Sequence, residues 1–249
     1  MATARQPREF MEAASRIRAA GRVLALTGAG ISVASGIPDF RSRGGLWSMF
    51  PPEEYATIGI FRRDPARAWQ LYRAMGRILA GKTPNPAHRA LARLEAAGCL
   101  QGVITQNVDG LHQAAGSRRV LEIHGEHHHL QCLRCGSLEP VREAHYREED
   151  LPCCDKCGSV LKPNVVLFGE PVRHLDEIHE LVARCDLLLV IGTSARVHPA
   201  AGLPQMVRSQ GGLLVEFNRE QALSPPPDLF LPGPAEQTLP RLVDLVRSG

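Results

Sequence analysis

Six short apolar runs in this chain each stop on a cluster of Gly, Asn, Asp, Gln, Ser or His. Residues 23–27 lead to Gly28-Ala29-Gly30, 103–105 to Gln106-Asn107-Val108-Asp109, and 120–123 to His124-Gly125. Residues 165–168 lead to Gly169-Glu170, 187–191 to Gly192-Thr193-Ser194, and 213–217 to Asn218. Open parallel sheets place their chemistry in this way, because ligands bind beyond the carboxyl ends of the strands in a crevice shared by distant segments. The six clusters are therefore expected to converge.

At 249 residues the chain can hold one substantial core, or a main domain with a smaller insert. Its net charge of +3 comes from arginines spread along the sequence, with no run of like charges to mark a nucleic-acid or membrane arm. Arg5, Arg8 and Glu9 stand where a secretion signal needs an apolar core, and no stretch approaches the roughly 18 apolar residues of a membrane span. The expectation is a soluble, cytoplasmic protein with neither nucleic acid nor membrane as partner.

Seven cysteines in such a chain do not suggest disulfides, since a reducing compartment keeps thiols free. Cys132-x2-Cys135, then 18 residues, then Cys154-x2-Cys157 matches a tetrahedral four-thiolate Zn²⁺ site. Each pair forms a tight knuckle, and four thiolates leave no open position for water, so this zinc is expected to be structural. Cys153 adjoins Cys154, and the x2 spacing selects Cys154. Cys99 and Cys185 read as small buried hydrophobes. His127, His128 and His129 read as surface, because four thiolates satisfy one ion and neighbours along a strand face opposite ways.

Between the runs the pattern is helical. Residues 10–20 read as a helix stopped by Gly21 with Pro7 outside it, 65–79 as an amphipathic helix, and 87–97 as a helix opened by Asn85-Pro86 and closed by Gly98. The cysteine segment 126–161 is too polar to build a core without metal. Residues 224–234 read as a Pro-rich loop before a last helix at 239–247. The fold class is α/β, a Rossmann-like doubly wound parallel sheet over residues 1–43, 85–125 and 162–249. A helical insert at 44–84 and a zinc-binding insert at 126–161 form the small domain.

Gly28-Ala29-Gly30 after a strand begins a dinucleotide fingerprint, in which the second Gly lets backbone amides approach a pyrophosphate. Val33 replaces the third Gly, so a plain tight turn is an equal reading of this segment alone. Gly36-Ile37-Pro38-Asp39-Phe40-Arg41 adds a carboxylate, an aromatic face and a guanidinium in a Gly/Pro loop, which suggests a lid over a ligand. A conventional NAD-linked dehydrogenase is disfavoured by the missing Gly and by the lack of a clear acid ending the second strand. A zinc-ribbon nucleic-acid module is disfavoured by the five acids within 138–150.

Taken in order, Gly28-Ala29-Gly30-Ile31-Ser32, the 36–41 segment, Thr105-Gln106-Asn107-Val108-Asp109-Gly110-Leu111-His112, His124-Gly125, the paired Cys-x2-Cys, Phe168-Gly169-Glu170 and Gly192-Thr193-Ser194 resemble the bacterial-type sirtuins, NAD-dependent protein lysine deacylases. The resemblance spans about residues 19–245. It implies that NAD is consumed: the acyl oxygen attacks the nicotinamide-bearing ribose carbon, nicotinamide leaves, and the acyl group ends on ADP-ribose. It further implies that Gly28, Ala29 and Gly30 hold the pyrophosphate, Gln106, Asn107 and Asp109 bind the ribose and nicotinamide side, and Ile37 and Asp39 meet the carboxamide. Phe40 would shield the ribose, Arg41 order the lid, and Gly192, Thr193, Ser194 and Asn218 contact the adenosine half. His124 would be the general base, a task suited to imidazole, with Asn107 and Asp109 beside it and His112 supporting Asp109. Residues 165–170, with Val165, Phe168, Gly169 and Glu170, and residues 197–200 would clamp an extended acyl-lysine peptide as an added strand. ADP-ribosyl transfer or NAD hydrolysis would use the same Asn107 and His124.

Ala56 and Tyr72 align with positions that succinyl- and malonyl-preferring sirtuins use to widen the acyl pocket. Those enzymes carry Tyr-x2-Arg, whereas this chain has Tyr72-Arg73-Ala74-Met75. Without a guanidinium a buried carboxylate loses its charge-assisted bonds and keeps its desolvation cost. Arg73 lies about 100° away around the helix. The resemblance thus implies a roomy, apolar pocket for acetyl and longer neutral acyl groups, with weak desuccinylation.

Overall fold

A computed structural model describes residues 6–39, 44–147 and 150–248. Its strands are β1 (Val23–Thr27), β2 (Gly102–Thr105), β3 (Val120–Glu122), β4 (Gly125–Cys132), β5 (Leu138–Pro140), β6 (Leu161–Val165), β7 (Leu187–Ile191), β8 (Leu213–Asn218) and β9 (Leu229–Pro232). Six of them form a wholly parallel sheet in the order β3-β2-β1-β7-β8-β9. This is the doubly wound Rossmann-like arrangement, with its topological switch between β1 and β7.

Alternation along the strands separates two cores. Val23, Ala25, Leu187, Leu189 and Ile191 face the helices Gln6–Ala19, Pro86–Ala96 and Ala235–Arg247. Leu24, Leu26, Leu188 and Val190 face the helices Leu175–Val182 and Leu203–Ser209. With both faces covered, the central strands need unbroken apolar runs, and β1 and β7 are buried at every position. Among the described residues no helix is long and apolar enough to cross a membrane.

Two strand expectations are corrected. The 165–168 run is not a strand of the parallel sheet; β6 ends at Val165 and pairs antiparallel with β4 in a second, three-stranded sheet of order β5-β4-β6. The sixth parallel strand is β9, inside the segment expected to be a Pro-rich loop. An edge position explains this, because a strand paired on one side tolerates nearby prolines. Helix limits shift as well. The first helix starts at Gln6 and takes in Pro7, which suits a first turn whose N–H groups have no partner. The last helix starts at Ala235 and contains Pro240, whose missing hydrogen bond is offset by burial of Ala235, Leu239, Leu242, Val243 and Val246.

A third core joins the segment around the helix Pro65–Leu79 to the second sheet. Trp69, Leu71 and Tyr72 pack against Leu130, Leu161 and Tyr146, and Trp69 Nε1 donates to Leu161 O at 2.9 Å. Gly76, costly in a helix interior, is required because a methyl there would stand 2.4 Å from the Tyr146 ring.

Candidate active site

Gly28 and Gly192 directly follow β1 and β7, so they meet at the switch point. Gly28 N donates to Ile191 O at 3.0 Å and Gly30 N to Gly192 O at 2.8 Å. A methyl on Gly30 would lie 2.7 Å from Gly192 Cα, and one on Gly192, where φ is +57°, 2.5 Å from Ile31 N. The N–H of Gly30 is thus engaged within the protein, and its lack of a side chain also serves loop-to-loop contact. The segment that follows is a 3-10 helix, Ala29–Ser35, with Val33 exposed. An exposed position of this kind does not require a third Gly.

Beyond β2 the side chains interlock. Asn107 Nδ2 donates to Gly28 O at 3.2 Å and to Ser32 Oγ at 3.1 Å, and Ser32 Oγ donates to Asp109 Oδ2 at 2.6 Å. Gln106 Nε2 donates to Thr193 Oγ1 at 2.9 Å, and Asn218 Nδ2 to Thr193 O at 3.0 Å. The carboxyl ends of β1, β2, β7 and β8 are thus cross-linked. Ile37 is buried, Asp39 half-buried and Ser194 exposed; Phe40 and Arg41 lie outside the described residues. Ser32 and His88 were not assigned roles from sequence. Ser32 stood in the glycine segment as one more small residue, whereas His88 carried no signal, since it reaches Ser32 only from the distant helix Pro86–Ala96, with Nε2 3.4 Å from Ser32 Oγ.

His124 follows the last residues of β3 and precedes β4, the seam between the two sheets. Its Nδ1 lies 3.0 Å from Gln106 O. A carbonyl only accepts, so Nδ1 carries the proton and Nε2 the lone pair, the tautomer a base requires. The expectation for His112 is corrected: its Nε2 bonds Thr27 Oγ1 at 3.0 Å, while Asp109 is held by Ser32 and by Leu111 N. His127 is also not surface. Its ring stacks on Tyr146 at 5.7 Å with both nitrogens buried, whereas His128 and His129 are exposed. A register shift between Gly125 and Leu130 breaks the alternation and turns both of those outward.

Burial lowers the pKa of three histidines. His112 falls to about 3, through desolvation and then the neighbouring His88, and His127 to about 4, through desolvation and then His128. His88 is pushed down by desolvation, partly countered by Asp109. In the unfolded chain these imidazoles take up protons near the ordinary value of 6.5; in the folded protein they stay neutral to much lower pH. Their contribution to stability is therefore complete above that range and is lost as pH falls from about 6.5 toward 3. Melting temperatures measured from pH 7 to pH 4 should decline over this window, less steeply in His112→Gln. Equal slopes would refute the assignment.

The four sulfurs of Cys132, Cys135, Cys154 and Cys157 lie within 4.8 Å of one another, with Cys132–Cys157 at 3.4 Å and Cys135–Cys154 at 3.6 Å. A tetrahedral ion with bonds of about 2.3 Å needs sulfurs about 3.8 Å apart. They fit one Zn²⁺. Both knuckles read Cys-x2-Cys-Gly-Ser and close alike: Gly136 N and Gly158 N return to Cys132 O and Cys154 O at 2.9 Å, each Gly at positive φ. Cys153 is exposed, with its Sγ toward Leu151 O, while Cys185 is buried and Cys99 half-buried.

Ala29, Ser32, Ile37, Asn107 and Asp109 line a cavity whose opposite wall includes Met75. Ala56 and Tyr72 are buried in the third core beside it. Ala56 O accepts from Phe168 N at 3.0 Å and Phe168 O accepts from Ile58 N at 3.0 Å, which fixes the segment after β6 against the helical insert. Arg73 is committed elsewhere, donating to Asp150 O at 2.9 Å with its guanidinium 5.7 Å from the Trp69 ring.

A doubly wound sheet with a glycine crossing at its switch point, an amide, acid and imidazole set at the strand ends, and a four-cysteine module defines a dinucleotide-using α/β enzyme class. The Sir2 family model matches residues 28–199, and the chain belongs to that family. It is 45% identical to an NAD-dependent protein deacylase of Thermococcus kodakarensis over 243 residues, 94% of this chain and 95% of the relative. A Sir2 homologue solved as an NAD complex superposes with a TM-score of 0.88 at 41% identity, covering 95% of this chain and 93% of that one. A Sir2 protein bound to a myristoylated histone peptide superposes at 0.82 with 38% identity, covering 97% and 98%.

Proposed function

We infer that this enzyme is an NAD-dependent protein deacylase that removes acyl groups from lysine, releasing nicotinamide and O-acyl-ADP-ribose. The observation that carries the reading is His124, held by Gln106 O as a base, at the strand ends that also present Asn107, Asp109 and the crossed glycines. Asn107 and Asp109 orient the nicotinamide ribose, and Nε2 of His124 takes the proton from a ribose hydroxyl so that its oxygen attacks the alkylated acyl carbon. Gly28, Ala29 and Gly30 face the pyrophosphate, while Gly192, Thr193, Ser194 and Asn218 border the adenosine. Ile37 and Asp39 meet the carboxamide. The residues 44–84 and 126–161 act as one small domain, whose shared core supports this division. Its zinc holds the second sheet together and takes no part in the chemistry. The unpaired thiols suit a reducing cytoplasm.

Mass spectrometry of an acetyl-lysine peptide incubated with NAD and the enzyme tests the reading. Free lysine, nicotinamide and acylated ADP-ribose should appear together; peptide carrying ADP-ribose, or ADP-ribose alone, would replace deacylation with transfer or hydrolysis.

On the acyl side, Met75 brings no cation to the pocket wall, and Arg73 is tied to Asp150 and Trp69. Acetyl and longer neutral acyl groups fit such a pocket, a reading supported by the relative with a myristoylated peptide. Met75→Arg should raise the succinyl-to-acetyl ratio of kcat/KM by about tenfold, the worth of one charge-assisted pair. A wild-type preference for succinyl peptides would refute this pocket.

A further inference from the structure

Lys162 is one of the largest wholly buried side chains of the protein, 1% exposed in a strand buried at all five positions. Its ammonium donates to Val165 O at 2.6 Å and Pro163 O at 3.3 Å and forms an ion pair with Glu170 Oε2 at 3.1 Å, all on one short stretch of chain. Glu170 Oε2 also accepts from Leu167 N at 2.9 Å. The pair closes residues 165–170 into a ring, bound at its start and end by one cation. The same loop is fixed outward at two points, Val166 N on His124 O at 2.8 Å and Phe168 on Ala56 and Ile58. Apolar residues of similar volume usually serve stability as well as a buried ion pair or better, so an ion pair here is explained by the geometry it imposes.

We propose that Lys162 and Glu170 form an ionic staple that shapes the 165–170 loop for acyl-lysine peptides, which makes Lys162 a positioning residue for the peptide and not for NAD. The inference rests on the deacylase reading.

Steady-state kinetics and amide exchange on Lys162→Met, Glu170→Gln and the double variant Lys162→Met/Glu170→Gln test it. Each single change should raise the peptide KM about tenfold while the KM for NAD stays within about twofold, because only uniform binding of the peptide is removed. Exchange at the Val166 and Leu167 amides should accelerate at least about tenfold as their local protection is lost. The double variant leaves no charge buried alone, so it should recover the melting temperature lost by the singles while keeping the raised peptide KM and fast exchange. Recovery of KM and exchange together with stability, or no change in either, would overturn the staple. If the wild type turns over no acyl peptide, the deacylase reading fails, and exchange still decides whether the pair holds the loop.

Discussion

His124→Ala should lower deacylation by about 10²- to 10⁴-fold, the usual contribution of a positioned general base. Its proton acceptor is lost, but the glycine crossing and the Asn107, Ser32 and Asp109 bonds are made without the imidazole. NAD affinity by calorimetry should therefore stay within about threefold, so the loss falls on kcat. Release of nicotinamide precedes the step that needs the base, so a single-turnover nicotinamide burst should survive better than formation of acylated ADP-ribose. The role of His124 would be wrong if the alanine variant kept most of its turnover, or if it lost NAD binding in proportion to activity.

Stripping the zinc should produce the other large effect. Structural Zn²⁺ contributes about 10–16 kcal/mol in zinc-finger peptides, comparable to the whole stability of an ordinary domain. Here two of the thiols, those of Cys132 and Cys154, are buried in the same core as Trp69, Tyr72 and Leu167. A chelator, or Cys154→Ala, should therefore unravel more than the knuckles. Trp69 emission should shift to the red, peptide turnover should fall at least about tenfold, and added zinc should restore the chelated protein. Cys153→Ala, which alters only an exposed thiol, should behave as wild type and retain one zinc per chain. An apo protein with unchanged emission and activity would show that the second sheet stands without metal.

Much of this was legible in local patterns. β1 and β7 coincide with their apolar runs because a strand buried on both faces must be apolar throughout. The helix Pro65–Leu79 follows from its spacing, and the four thiolates from knuckle geometry set by two residues between cysteines. Other features were not legible. The segment 229–232 offers only the three apolar residues Leu229, Phe230 and Leu231 among flanking prolines, too short a run to announce a strand, and the open edge of β8 recruits it. The 165–168 run satisfies the strand pattern but has no place in the parallel sheet, because β6 already pairs with β4 just before it.

The same division runs through the site. Chain order and residue type by themselves determined most of the clusters that follow strands, the metal ligands, and the imidazole as the candidate base, because each depends on patterns a few residues long. Tertiary structure alone decided that Gly30 must touch Gly192, that Ser32 joins Asn107 to Asp109, that Gln106 selects the tautomer of His124, and that Lys162 closes on Glu170. Most of these contacts join segments distant along the chain, and their partners and directions exist only once the sheet order has placed the strand ends side by side.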